Sequence, residues 1–199
     1  MIKRLFDLFF SSLGLILLSP FFLVMAIWIK LDSLGPVFYR GVRMGKNWKT
    51  FRIFKFRSMA ANAEQVGGPS SRENDPRITK SGNFIRKWKL DELPQLINVF
   101  LGQMSLVGPR PEVVEYANLY QGEEKIVYTI KPGITDLASL WNAHEEEMLA
   151  AAKNTKEAER LYLEKIRPGK VRLQMKYVKE MSLWTDVKII FQTLKKIFL

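Results

Sequence analysis

The sequence predicts a mostly helical α/β (more narrowly α+β) domain with one β-hairpin, preceded by a re-entrant helix–break–helix in a membrane. Three observations lead there. Between Asp7 and Lys30 lie 22 uncharged, mainly apolar residues, interrupted by Ser19-Pro20. Residues 37–59 shift to strand-like alternation around a Gly45-Lys46-Asn47 turn. Apolar residues then recur at spacings of three and four in 93–101 and again in 183–199, the mark of one-sided helices. A length of 199 residues suffices for one domain with a sizeable core and a small appendage. The expected division is 1–32 as membrane helix, 33–182 as main domain and 183–199 as an amphipathic interfacial helix.

The N-terminal run, as one helix, reaches about 33 Å, enough to span a bilayer. Two features argue against a plain span. Pro20 removes a helical hydrogen bond near the middle, favouring a kink, and the Ser19 hydroxyl is one candidate to satisfy the freed group. Both flanks are also basic, with Lys3 and Arg4 before the run and Lys30, Arg40, Arg43 and Lys46 after it. Positive charge at both ends places both on the cytoplasmic side. A helix that enters one leaflet and returns satisfies both features; the residues alone leave a spanning helix as the alternative.

The hairpin is expected between Val37–Val42 and Thr50–Arg57. In its second arm Lys55 and Arg57 continue the face of Phe51 and Ile53. Cations there suit either a phosphate-facing wall or a solvated strand edge. Residues 60–77 are rich in Gly, Pro, Ser and Asn and read as a long surface loop closed by Asp75-Pro76-Arg77. Ser81 to Lys89 reads as a short basic helix or turn.

The most informative stretch is Leu90 to Pro111, LDELPQLINVFLGQMSLVGPRP. Asp91 and Glu92 are adjacent carboxylates, Pro94 suits a first helical turn, and Gly102 ends the helix. Gly108-Pro109-Arg110-Pro111 forms a stiff cationic turn. The acidic pair is thus expected at a helix start, where unpaired N–H groups attract phosphate. The plain alternative for Asp91 is an N-cap. Further on, 112–121 resumes a helical period, and Lys131-Pro132-Gly133-Ile134-Thr135 is a rigid turn after a β-branched run. Residues 145–166 suit a charged surface helix that Arg167-Pro168-Gly169 breaks. His144 is expected in a loop, and 145–147 is a weak metal candidate.

LDELPQLINVFLGQMSLVGPRP resembles the signature of the monotopic phosphoglycosyl transferases, bacterial sugar transferases that begin glycan assembly on polyprenol phosphate. KFRSM at 55–59, DPRIT at 75–79, KPGIT at 131–135 and the N-terminal KRLFD with its Ser-Pro break resemble further blocks of that family, in order. The resemblance implies transfer of a sugar-1-phosphate from a UDP-sugar to undecaprenyl phosphate, with UMP released. It implies a ping-pong reaction through a phosphosugar on Asp91, with Glu92 beside it as a Mg²⁺ ligand or acid–base group. Lys55, Arg57, Arg77, Arg86 and Arg110 are the implied phosphate contacts. The implied location is the cytoplasmic face of the bacterial inner membrane, and the re-entrant helix is part of the same pattern. The sequence departs from the family at 136–139, at Asn142-Ala143-His144, and at Gln174, where many relatives carry aspartate; Asp186 matches a family acid. Sugar contacts near 142 are therefore not carried over.

Composition narrows the alternatives. There is no cysteine, so disulfides and thiolate metal sites are excluded, and a single histidine leaves acid–base work to carboxylates. The net charge of +11 is concentrated at the two ends: residues 1–58 carry ten Lys/Arg against two acids, and 166–199 eight against two. Basic ends beside apolar segments suit an anionic membrane surface better than a nucleic-acid groove, so no nucleic-acid partner is expected. A non-catalytic, membrane-anchored anion-binding or scaffold protein is the competing class.

Overall fold

The computed structural model describes residues 1–61, 63, 75–141 and 155–198. His144, Asn142, residues 145–147 and most of the 60–77 loop lie outside the described residues. What is described is mostly helical, with a few short strands.

Helix α1 runs unbroken from Ile2 to Asp32. Its outward positions are apolar and exposed, among them Leu5, Phe9, Leu13, Ile16, Leu17, Leu23, Val24 and Ile27. Its inward positions are Asp7, Ser11, Met25 and Ile29. Among the described residues it is the one helix long and apolar enough to cross a membrane. The expected break at Pro20 is absent as an interruption of the helix. Without an N–H at Pro20, the Ile16 carbonyl loses its usual donor. The Ser19 hydroxyl supplies one instead, at 2.8 Å, and the helical path is kept.

Both ends of α1 are bonded to the rest of the chain. At the start, Lys3 donates to the Val107 carbonyl at 3.1 Å and pairs with Asp186. Arg4 donates to the Val99 and Phe100 carbonyls at 2.6 and 2.8 Å, and Asp7 accepts from Ser105 Oγ and Leu106 N–H, both at 3.0 Å. At the far end Asp32 accepts from the Ser81 N–H and hydroxyl, both at 2.8 Å.

The expected hairpin forms, in two pieces of one register. β2 (Val42–Met44) pairs antiparallel with β3 (Thr50–Arg52), and β1 (Phe38–Tyr39) pairs with β4 (Lys55–Phe56). Between them the ladder is interrupted, and Asn98 fills the gap. Its side chain accepts from Phe54 N–H at 2.8 Å and donates to the Arg52 carbonyl at 2.9 Å. The tip turns through Lys46–Trp48, with positive φ at Asn47 and Trp48.

Helix α2 (Lys80–Lys87) is capped by Thr79, whose hydroxyl accepts from Gly82 N–H at 3.0 Å. A 3₁₀ turn at Leu90–Glu92 leads to helix α3 (Gln95–Phe100). Strand β5 (Ser105–Val107) then pairs in parallel with β6 (Gly133–Thr135). Between these strands lie α4 (Val114–Ala117) and a 3₁₀ helix at Gly122–Thr129, so the β-branched run before 131 is not a strand. Helix α5 (Leu137–Trp141) follows, then α6 (Thr155–Leu161) and a π turn at Tyr162–Ile166. Helix α7 (Arg167–Glu180) starts where a break was expected, because Pro168 occupies its first turn, where a missing N–H costs nothing. Helix α8 (Leu183–Phe198) buries Asp186 and Ile189 against β5 and α5 and leaves Trp184, Val187, Phe191 and Leu194 exposed. One face of this helix thus packs on the domain, and the opposite face leaves an apolar row exposed.

Apolar clusters join these elements. Met25 and Ile29 of α1 pack with Phe56 and Ile85, with Leu90 against them. Phe51, Ile53, Val99 and Met104 join hairpin and α3. Backbone approach is closest at Gly82, where an added Cβ would lie 1.9 Å from the Ser58 carbonyl oxygen. Gly82→Ala is expected to cost about 3 kcal/mol or more, as overpacking does when no side chain can yield. The measurement is the thermal midpoint of the purified protein, which should fall sharply.

Candidate active site

The acidic pair is placed by its neighbours in sequence. Lys89 takes a left-handed backbone, φ 53, which turns the chain out of α2. Leu90 then packs against α1 and Phe56, anchoring the turn that holds Asp91 and Glu92. Pro94 stands just before α3, whose six residues are too few to make the helix field the main source of positive charge. Two side chains supply it instead.

Glu92 lies between them. Its Oε1 accepts from Lys55 Nζ at 2.7 Å and Arg110 Nη2 at 2.5 Å, and its Oε2 accepts from Arg110 Nη1 at 3.2 Å. The fields of Arg110 and Lys55 outweigh the burial penalty and hold the Glu92 carboxyl well below the ordinary carboxylate range. Arg110 is held firmly protonated in return, chiefly by Glu92. Asp91 is bound less tightly: its Oδ2 lies 3.6 Å from Lys55 Nζ, beyond hydrogen-bond length. Burial pushes its pKa up, and the Glu92 charge adds to this, while Lys55, Arg110 and Arg86 pull it down. Two adjacent carboxylates therefore differ in kind. One is a fixed anion, the other a more weakly paired acid.

Arg110 is positioned from behind. Its N–H donates to Asp136 Oδ2 at 3.1 Å, and Asp136 Oδ1 accepts from Ser139 N–H at 2.6 Å. Gln174 reaches Asp136 at 3.4 Å and accepts from the Tyr120 hydroxyl at 2.9 Å. The turn before Arg110 is drawn onto β6 by Gly108 N–H to Thr135 O and Gly133 N–H to Pro109 O, each 3.0 Å. A Cβ on Gly133 would meet the Gly108 nitrogen at 2.0 Å, so glycine is required there. Beside the cluster opens a cleft of about 160 Å³ lined by Lys55, Arg110, Arg43, Gln95, Glu112 and Tyr116, among others. Glu112 is itself paired with Lys170 at 2.6 Å.

Of the sequence-selected residues, the structure brings Asp91, Glu92, Lys55 and Arg110 together, with Arg86 near enough for its charge to reach Asp91. Arg57 is elsewhere. Its guanidinium is buried and donates to the Ser33 carbonyl at 2.8 Å and to the Leu34 and Ile29 carbonyls, closing the end of α1. Arg57 lies one residue past β4, and the carbonyls at the end of α1 engage it in place of a phosphate. Arg77 forms a forked pair with Asp75 and donates to the Ala63 carbonyl at 2.9 Å, clamping the loop ends. That pairing holds the Asp75 carboxyl down at about 2. Asp136 was missed as a support, although an aspartate three residues before Ser139 at a helix start is a cap signal. Arg43, Glu112 and Tyr116 carried no local signal, since only the fold brings them to the cleft.

The profile of the bacterial sugar transferases matches residues 1–199, and the chain belongs to that family. It is 41% identical over 203 residues to the UDP-glucose:undecaprenyl-phosphate glucose-1-phosphate transferase of Klebsiella pneumoniae, covering 99% of this chain and 40% of that protein. It is 37% identical over 199 residues to the UDP-N-acetylgalactosamine-undecaprenyl-phosphate N-acetylgalactosaminephosphotransferase of Aeromonas hydrophila, covering 98% and 43%. With the exopolysaccharide production protein PSS of Rhizobium leguminosarum bv. phaseoli it shares 38% over 199 residues, covering 96% and 92%. The chain thus spans about two fifths of the length of the first two relatives and nearly all of the third.

The two carboxylates should respond oppositely to neutralisation. Because the Asp91 pKa is raised on folding, its ionisation weakens the fold as pH rises above the unfolded carboxylate value. Asp91→Asn is therefore expected to raise the thermal midpoint at pH 7, with the gain shrinking toward acid pH. Glu92→Gln leaves Lys55 and Arg110 without their anion and is expected to cost about 1–3 kcal/mol. Melting curves of both variants from pH 4 to 8 measure this.

Proposed function

We propose that this chain transfers a sugar-1-phosphate from a UDP-sugar to a polyprenol phosphate, through a covalent phosphosugar on Asp91. The observation that carries the reading is the asymmetric carboxylate pair. Asp91 is loosely held beside Lys55 and Arg110, and these cations are fixed by Glu92. A carboxylate oxygen of Asp91 attacks the β-phosphorus of the UDP-sugar. The bond from that phosphorus to the oxygen bridging the α-phosphate breaks, and UMP leaves with that oxygen. An oxygen of the polyprenol phosphate then attacks the same phosphorus. The acyl–phosphate bond breaks, which frees Asp91 and gives polyprenyl-diphosphosugar. Lys55 and Arg110 stabilise the charge that builds on the transferring phosphoryl oxygens, a term of large weight in such reactions. Glu92, kept ionised, holds both cations in place rather than trading protons. The names of the relatives support the donor and acceptor classes.

The donor set suits Mg²⁺ as an ion shared with the diphosphate. Mg²⁺ takes one or two carboxylates and completes its shell with phosphate oxygens and water. Asp91 and Glu92 are the carboxylates at hand, and no group of three or more ligating side chains is found among the described residues. When bound, the ion would neutralise diphosphate charge.

We also read α1 as re-entrant in the inner membrane, with the domain on the cytoplasmic face. The support is that both of its ends bond to one body while its outward face is apolar and exposed. Passage straight through a bilayer would put that body on two sides. The exposed row Trp184, Val187, Phe191 and Leu194 on α8 adds a second, interfacial contact.

Incubation of purified protein with UDP-sugar labelled in the β-phosphate is expected to label Asp91 and release UMP before any lipid is added. Asp91→Asn should do neither, and chelation with EDTA should suppress both until Mg²⁺ is restored. Turnover on adding acceptor, with no label beforehand, would instead establish direct transfer. For topology, single cysteines at positions 2 and 47 are expected to react with a membrane-impermeant reagent from the same side; opposite sides would establish a span.

A further inference from the structure

A second cationic cluster lies away from the acidic pair, where α1 begins. Gly102 follows α3 with φ +78 and carries no side chain. At the position of its missing Cβ, Arg4 Nη2 would be 3.3 Å away and Lys131 Nζ 3.4 Å. Two positive heads thus converge on one bare stretch of backbone. Arg4 is partly satisfied by the Val99 and Phe100 carbonyls at the end of α3. Lys131 has no hydrogen-bond or ion-pair partner among the described residues. Burial holds its ammonium below the usual lysine range, the neighbouring Arg4 and Lys46 charges act in the same direction, and only Asp7 opposes them. Asp7 is no free counter-ion, because one of its oxygens already accepts from Ser105 and Leu106. A lysine kept among like charges, with Asp7 acting on it only at a distance and no anion in hydrogen-bond or ion-pair contact among the described residues, leaves room for one from outside.

The surroundings say what kind of anion. Leu5, Phe100 and Leu101 flank the cluster and are 60%, 45% and 57% exposed. Arg4 also stands where the apolar outward face of α1 begins, at the depth of a lipid headgroup on the re-entrant reading of α1, on which this inference rests. A freely dissolved phosphate gains nothing from such an apolar rim, whereas a phosphate attached to acyl chains does.

We propose that Arg4 and Lys131 form a site, open over Gly102, for the phosphate of an anionic membrane lipid. Its role is to fix the domain's height and tilt at the end of α1 remote from Asp32. Lys46 at the hairpin tip adds long-range attraction without touching the phosphate.

The test is partition of the full chain between buffer and vesicles, using phosphatidylcholine alone or with about one third phosphatidylglycerol. A lysine near an anionic surface contributes roughly fivefold in partition. Lys131→Gln is expected to lose about that factor on the mixed vesicles and nothing on pure phosphatidylcholine, with Lys131→Arg restoring it. Lys176→Gln, which removes the same charge from an exposed position on α7, should lose clearly less. Equal losses for the two glutamine variants would reduce the effect to net charge and overturn the site. Suppression of the Lys131-dependent factor by 10 mM inorganic phosphate, at ionic strength matched with chloride, would assign the site to free phosphate and overturn the lipid assignment. Failure of the unaltered chain to bind pure phosphatidylcholine would count against the membrane reading of α1 itself, whereas binding with no Lys131 effect would sink only the headgroup site.

Discussion

Glu92, held between Lys55 and Arg110, is the contact on which the rest of the site depends. It joins three segments distant in sequence: the second arm of the hairpin, the turn after α2, and the cationic turn after β5. Such a half-buried triad is costly to desolvate and gains stability only if every member is paired. Here the fourth partner, Asp91, is left loosely bound, 3.6 Å from the shared lysine. The arrangement leaves one carboxylate available while its neighbour keeps the cations from collapsing onto it.

The second constraint is the double attachment of α1. The polar residues Lys3, Asp7 and Ser11 would be expensive in lipid, and all face the protein side, bonded or buried there. Met25 and Ile29 share a cluster with Leu90, one residue from Asp91. Helix α1 is therefore part of the platform under the candidate nucleophile.

Much of this was legible in the sequence because it rests on local pattern. The apolar run, the hairpin arms and the amphipathic last helix are periodicities, and the DE pair with its proline is a compact motif. Ser19 was foreseen as the replacement donor at Pro20, since the hydroxyl sits one residue from the lost N–H. Arg57 was misplaced for a physical reason: the strand ends at Phe56, so alternation does not govern it, and the carbonyls of a distant helix end took its donors. The parallel pairing of β5 with β6 and the support of Arg110 by Asp136 are long-range. No spacing within either segment announces them. The β-branched run before Lys131 became a 3₁₀ helix because packing of Val127 and Tyr128 into a core cluster outweighs strand preference.

The attachment of α1 also bears on how the chain assembles. Lys3 finds its partner Asp186 only across 183 positions of sequence. Contacts of such separation form late, since a long loop must close before they give anything back. During synthesis α1 is made well before the helix that receives its basic end, and its exposed leucines and phenylalanines cannot wait in water without aggregating. On the proposed membrane reading of α1, the bilayer would serve as a holding site for the helix while the body that clasps it is completed, and folding of the domain would be coupled to its delivery to the membrane.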